Sequence, residues 1–188
     1  MVTDDLVKKY GDTIRNLLLD LGITNKEVIA NTPKRWIRFL ESYSKPLNSD
    51  FHDFKTFSTD SDDMVIAETH FWSICEHHLL PYFGKVFFGY IPQGEVLGIS
   101  KIVRFIQYVA KQPSIQEGLT QTIADTLFVK SGGKGVMVLI KGFHTCVASR
   151  YSNGWMTTSA VRGIFRENKT LKTEFLNLIR LENTSVLE

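Results

Sequence analysis

Cysteine is scarce in this chain of 188 residues, with only Cys75 and Cys146. That excludes a disulfide-stapled scaffold and leaves buried inert thiols or metal ligation as the uses to weigh. Net charge is also small, +2 from 22 basic and 20 acidic residues. Neither nucleic acid nor a membrane surface is expected as a partner on that balance, so an anionic ligand has to be met by a local cluster of cations. Long apolar runs are missing, and the opening Met-Val-Thr-Asp-Asp is acidic, unlike a secretory leader. The expectation is a cytoplasmic protein. Repeats and low-complexity segments are absent as well. What remains is ordinary for a globular chain with a proper core: 43% hydrophobic and 22% charged residues.

Periodicity divides the chain in two. Residues 3–20 place Leu6, Ile14, Leu17 and Leu18 on one face of an amphipathic helix, and Gly22 closes it. Asn31-Thr32-Pro33 reads as the opening of a second helix, with Thr32 as cap and Pro33 at the first helical position. It is expected to run to Ser44, with Pro46 beyond its end. Residues 46–60 read as a connecting loop anchored by Phe51, Phe54 and Phe57, so residues 1–60 form a helical arm and 61–188 the main domain. In that domain, residues 64–75 and 82–92 suggest two strands separated by Pro81 and Gly84. Helices are expected over 100–111 and 115–128, then a long strand over 135–150, a partner strand over 156–161 and a terminal helix over 169–181. Strand pairs alternating with helix pairs point to an α+β fold, an antiparallel sheet with helices packed on one face.

Cys75-Glu76-His77-His78 is the densest chemical signal, and His144-Thr145-Cys146 supplies the other thiol with a further imidazole. Three of the five histidines thus sit beside the only two cysteines. Thiolate and imidazole suit zinc, which in catalytic sites takes three protein ligands and leaves one coordination position open. Cys75 and His78 have chelating spacing, and Cys146 closes the site from a distant segment. On an extended strand His144, Cys146, Ala148 and Arg150 share one side. A structural zinc closed by His77 or His144 as fourth ligand is the competing reading.

Ser100 is placed to cap the helix that carries Lys101 and Arg104, a helix start suited to phosphate. Arg35 and Arg38 lie three apart on the second helix. A solvated basic face is the plainer reading of both groups. Ser114-Ile115-Gln116-Glu117 reads as a capping box, and alternatively Glu117 is a carboxylate for a purine-like N–H and amino group.

Taken together, these residues resemble the GTP cyclohydrolase I family. The likeness is carried by SICEHHLLPYFGKVFFGYIP (73–92), LGISKIVRFIQYVAKQPSIQEGLTQTIADTL (97–127), FHTC and Arg150, with weaker matches at NTPKRWIRFL and TTSAVRGIF. It implies the pterin-binding tunnelling fold in a toroidal homodecamer with active sites at subunit interfaces. The implied reaction converts GTP and water to 7,8-dihydroneopterin triphosphate and formate, for tetrahydrofolate and pterin biosynthesis. By resemblance Cys75, His78 and Cys146 bind zinc, and His77 and His144 transfer protons. Gln116 and Glu117 lie at the guanine. Ser100, Lys101, Arg104, Arg150, Arg35 and Arg38 surround the triphosphate. One departure stands out, a connection over Tyr151–Trp155 shorter than the family's usual loop. It keeps two alternatives in play: a non-catalytic zinc-containing purine- or pterin-binding homologue, and a related tunnelling-fold pterin enzyme.

Overall fold

Apolar residues fall on both sides of the central strands. Val86, Phe88 and Tyr90 alternate with Phe87 and Ile91, and Val136, Val138 and Ile140 alternate with Met137. Strands of this kind need cover on two faces, and the fold provides it. The computed structural model describes residues 2–44 and 51–184, with side chains over 4–44 and 51–180. Pro46 and the first part of the expected connecting loop lie outside the described residues.

Two helices open the chain, α1 (Val2–Asp20) and α2 (Lys26–Ser42). They are followed by β1 (Thr56–Ser58), β2 (Val65–Ile74), β3 (Pro81–Ile91) and β4 (Glu95–Leu97). Next come α3 (Ile99–Ala110), α4 (Gln116–Ser131), β5 (Gly135–His144), the single turn α5 (Thr145–Ala148), β6 (Trp155–Gly163) and α6 (Lys169–Thr184). The main sheet is antiparallel in the order β2-β3-β5-β6, and β1 pairs with β4 in a small second sheet. This is the α+β architecture expected, with α3 and α4 covering one face through Ile102, Phe105, Ile106, Leu119, Ile123 and Leu127. The other face takes α6, whose Phe175 packs with Phe87, Met137 and Phe165. Gly89 makes room for that ring: a Cβ there would stand 2.8 Å from Phe175 Cδ2.

Three local expectations are corrected. Helix α2 starts seven residues before Pro33, at Lys26, because Asn25 Oδ1 caps the amides of Glu27 and Val28. Pro33 is buried inside the helix, on the same face as Ile37 and Glu41, so burial outweighs the amide it cannot donate. Thr32 is therefore no cap, and the helix ends at Ser42 rather than Ser44. Pro81 and Gly84 are not a connection but part of β3, and Gly84 permits close approach, since a Cβ would meet Lys141 O at 2.0 Å. The long strand expected over 135–150 stops at His144, where the chain turns into α5.

Candidate metal centre and catalytic site

The hairpin β2–β3 builds half of the site. Its connection, residues 75–80, is a tight turn: the amides of His78 and Leu79 both donate to Cys75 O, and Cys75 N donates to Leu80 O. Leu79 sits at φ 52°, a left-handed conformation unusual for a branched side chain. Cys75 also forms a parallel bridge with Ser114, whose amide donates to Ile74 O. The turn is thus fixed to the start of α4. The other half comes from α5, where Thr145 Oγ1 donates to Pro81 O at 2.6 Å and draws Cys146 over the hairpin turn.

The result brings Cys75, His78 and Cys146 together, with one ligand atom of each within 4.8 Å of the others. Cys75 Sγ lies 3.7 Å from His78 Nδ1. Two ligands at roughly 2.3 and 2.05 Å from a tetrahedral zinc would stand about 3.6 Å apart, so this pair needs little movement to chelate. Burial, joined by the neighbouring Cys75 sulfur, pushes the Cys146 thiol up, while Arg150 pulls the other way. A thiol held protonated by burial and a neighbouring sulfur gains from a divalent cation, and a sulfur-sulfur-nitrogen donor set fits zinc. Neither His77 nor His144 joins the group of three among the described residues. His77 is exposed, its ring nearly perpendicular to that of His78 at 6.2 Å between centroids.

His144 lies beside the cluster by a different route from the one expected. Strand alternation does not carry it to Cys146, since α5 intervenes. Instead its ring stacks on Tyr82, its cross-strand partner, at 4.6 Å and 6°. Tyr82 is itself fixed by Ser114, hydroxyl to hydroxyl at 2.8 Å. Burial holds the His144 imidazole below the usual histidine range, and Glu117 opposes this. His144 Nε2 lies 2.9 Å from Gln116 Oε1.

The remaining expected site residues divide clearly. Arg150 reaches the cluster, with Nε donating to Cys146 O at 2.8 Å and Nη2 3.3 Å from His78 Nε2. Glu117 is exposed at the start of α4 and is not half of a capping box, because Ser114 N is taken by Ile74 O. Gln116, expected at the guanine, is wholly buried, with its side-chain amide engaged by β5 and β6. Ser100 is no cap either: Gly98 holds that position, without a side-chain hydrogen bond. Lys101 and Arg104 both pair with Asp53, at 2.6 and 3.1 Å. Arg35 pairs with Glu27 on its own helix, and Arg38 is exposed; among the described residues no hydrogen bond or ion pair ties either to the Cys75–His78 turn.

Among the described residues, then, the cations of α3 pair with Asp53 and not with the Cys75–His78 turn. The segment after α3 is tied to β2, where Ser73 Oγ donates to Gln112 O. Ser100 and Lys101 sit in the first turn of this 12-residue helix, which spans about 18 Å, and Arg104 lies at its middle.

Sequence reading missed Tyr82, Ser114, Thr158 and Gly142 around His144. Gly142 alone carried a signal: a glycine inside an apolar strand marks close approach of another group. The group is Gln116, whose Oε1 would stand 2.3 Å from a Cβ at residue 142.

Fold and donor set first define a class, an α+β protein with a group of three donors that could hold a metal ion, near a buried histidine. Comparison with known proteins then narrows it. The family model for GTP cyclohydrolase I matches residues 11–180. A GTP cyclohydrolase 1 from Campylobacter jejuni subsp. doylei is 38% identical over 180 residues, covering 92% of this chain and 95% of the relative. Another from Methylococcus capsulatus is 41% identical over 163 residues, covering 82% and 88%. Among solved structures, the archaeosine synthase QueF-Like in its apo form aligns with 55% of this chain and 97% of its own, at a TM-score of 0.46 and 20% identity. This chain belongs to the GTP cyclohydrolase I family.

Proposed function

We propose that this protein opens the imidazole ring of GTP at C8, releases formate and yields 7,8-dihydroneopterin triphosphate. The observation that carries the reading is the convergence of Cys75, His78 and Cys146 in a chain of this family. These three are the proposed ligands of a zinc ion. When bound, zinc supplies the Lewis acidity that makes water nucleophilic near neutral pH.

The chain's own residues have the other tasks. Hydrolysis at C8 places negative charge on N7, and His144 is the group that moves a proton there. Its burial suits the task, because an imidazole below the usual histidine range gives its proton up readily. His77, exposed at the rim, is assigned the proton needed when the ribose opens. Glu117 offers a carboxylate to the guanine N–H and amino group. Arg150 stands against His78 and can turn to a phosphate oxygen.

Lys101 and Arg104, with Ser100, are assigned to the triphosphate, with Arg35 and Arg38 as further cations. Among the described residues Lys101 and Arg104 pair with Asp53 and Arg35 with Glu27, not with the metal turn, which supports a site completed by a second copy of the chain. Both outer strands of the main sheet, β2 and β6, lack a neighbour on one side among the described residues. Each carries an exposed tryptophan, Trp72 and Trp155. Open strand edges with exposed aromatics favour association, and the proposed assembly is a cytoplasmic homo-oligomer, a decamer by family likeness.

The test is a formate and absorbance assay. Zinc-loaded protein is expected to convert GTP to formate and a dihydropterin in equal amounts, to stop with chelator, and to resume with zinc. Tight GTP binding without either product would select the non-catalytic alternative.

A further inference from the structure

The geometry points to Gln116 as a positioning residue that sets which nitrogen of His144 carries the proton, in place of a guanine contact. The inference rests on His144 as the proton carrier proposed above. Gln116 has no exposed surface. Its Nε2 has three acceptors in reach: Ile140 O at 3.1 Å, Met156 O at 3.2 Å and Thr158 Oγ1 at 3.0 Å. Two of these are main-chain carbonyls, which only accept. Turning the amide over would set Oε1 against both of them, so the amide has one orientation.

The hydroxyls agree with it. Thr120 Oγ1 donates to Gln116 O at 2.6 Å, so its single hydrogen is committed. Thr158 Oγ1, 2.6 Å from Thr120 Oγ1, must then be the donor of that pair, which leaves it to accept from Gln116. With the amide fixed, Oε1 is what His144 Nε2 meets at 2.9 Å, and an acceptor there requires Nε2 to bear hydrogen. In the neutral imidazole the lone pair is therefore on Nδ1. The Tyr82 ring, stacked on His144, resists rotation that would exchange the two. Gly142 belongs to the same device, because a methyl group there would displace Oε1.

The substitutions separate this role from guanine binding. Gln116→Met keeps the length and removes the acceptor. Gln116→Glu, buried among carbonyls and hence protonated, keeps an oxygen for Nε2–H and a donor for the carbonyls. Gly142→Ala leaves the glutamine in place and pushes its oxygen aside.

The measurement is nitrogen-15 NMR of histidine-labelled, zinc-loaded full-length protein in mildly alkaline buffer, with the His144 signals identified by their absence from His144→Ala. Wild type and Gln116→Glu are expected to show a protonated Nε2 and an unprotonated Nδ1. Gln116→Met and Gly142→Ala are expected to lose that preference, with kcat for GTP falling on the order of 10- to 100-fold and KM nearly unchanged. A preference that persists in Gln116→Met overturns the inference, as does a rise in KM alone, the mark of a lost guanine contact. A lost preference with unchanged kcat would instead count against His144 as proton carrier, so the two claims fail separately.

Discussion

Burial lowers the affinity of the His144 imidazole for a proton, and the Glu117 carboxylate offsets this only in part. An unfolded chain has no such restriction and binds that proton near the ordinary value of about 6.5. Between the two values the unfolded state holds more protons, so stability rises with pH across that window. The contribution is full above about pH 6.5 and is lost as pH falls through the lowered folded value. Urea unfolding of chelator-treated protein should show this acid-side loss, and His144→Gln should make it shallower. Equal slopes for the two proteins would contradict the assignment. At this scale the sequence disclosed Cys75, His78 and Cys146, because ligand chemistry resides in the residue types themselves. It did not disclose how Gln116 meets His144. That contact depends on the β3–β5–β6 register and on a gap at Gly142, and neither is a property of single residues.

Elements with strong periodicity were legible: α1, α3, α4, α6 and the central strands fall close to where apolar spacing puts them. Signals of only two or three residues were overruled by tertiary context. Thr32-Pro33 resembles a helix start, yet a continuous apolar face containing Pro33 and Ile37 extends the helix back to the Asn25 cap. Apolar alternation beyond Phe143 suggests more strand, yet Thr145 bonds Pro81 O and the chain coils into α5. Helix α6 was legible as a helix but not as the cover of the second face. Its anchor is Phe175, fully buried against Phe87 and Met137. Phe175→Ala should cost about 3–5 kcal/mol in urea unfolding. Gly89→Ala should act in the same direction, since its methyl would strike the same ring. A loss under about 1 kcal/mol for the Phe175 variant would mean that α6 contributes little to the core.

Lys101 and Arg104 pair with Asp53 and not with the Cys75–His78 turn among the described residues, so the proposed site stands in two parts. Two disabled variants test whether a second copy completes it. Cys146→Ala removes a metal ligand, and Lys101→Ala with Arg104→Ala removes the cations. Each protein alone should be nearly inactive toward GTP. If each site takes its metal from one chain and its cations from another, random mixed oligomers should recover about a quarter of wild-type turnover. Activity no greater than the sum of the separate proteins would place both sets in one chain.

The claim that C8 leaves the purine is tested most directly by the fate of that atom. GTP carrying carbon-13 at C8, turned over by the zinc-loaded protein, should deliver the whole label to formate and none to the pterin, with no release by Cys146→Ala. Label retained in the nucleotide-derived product, or formate released equally well by that variant, would contradict the account.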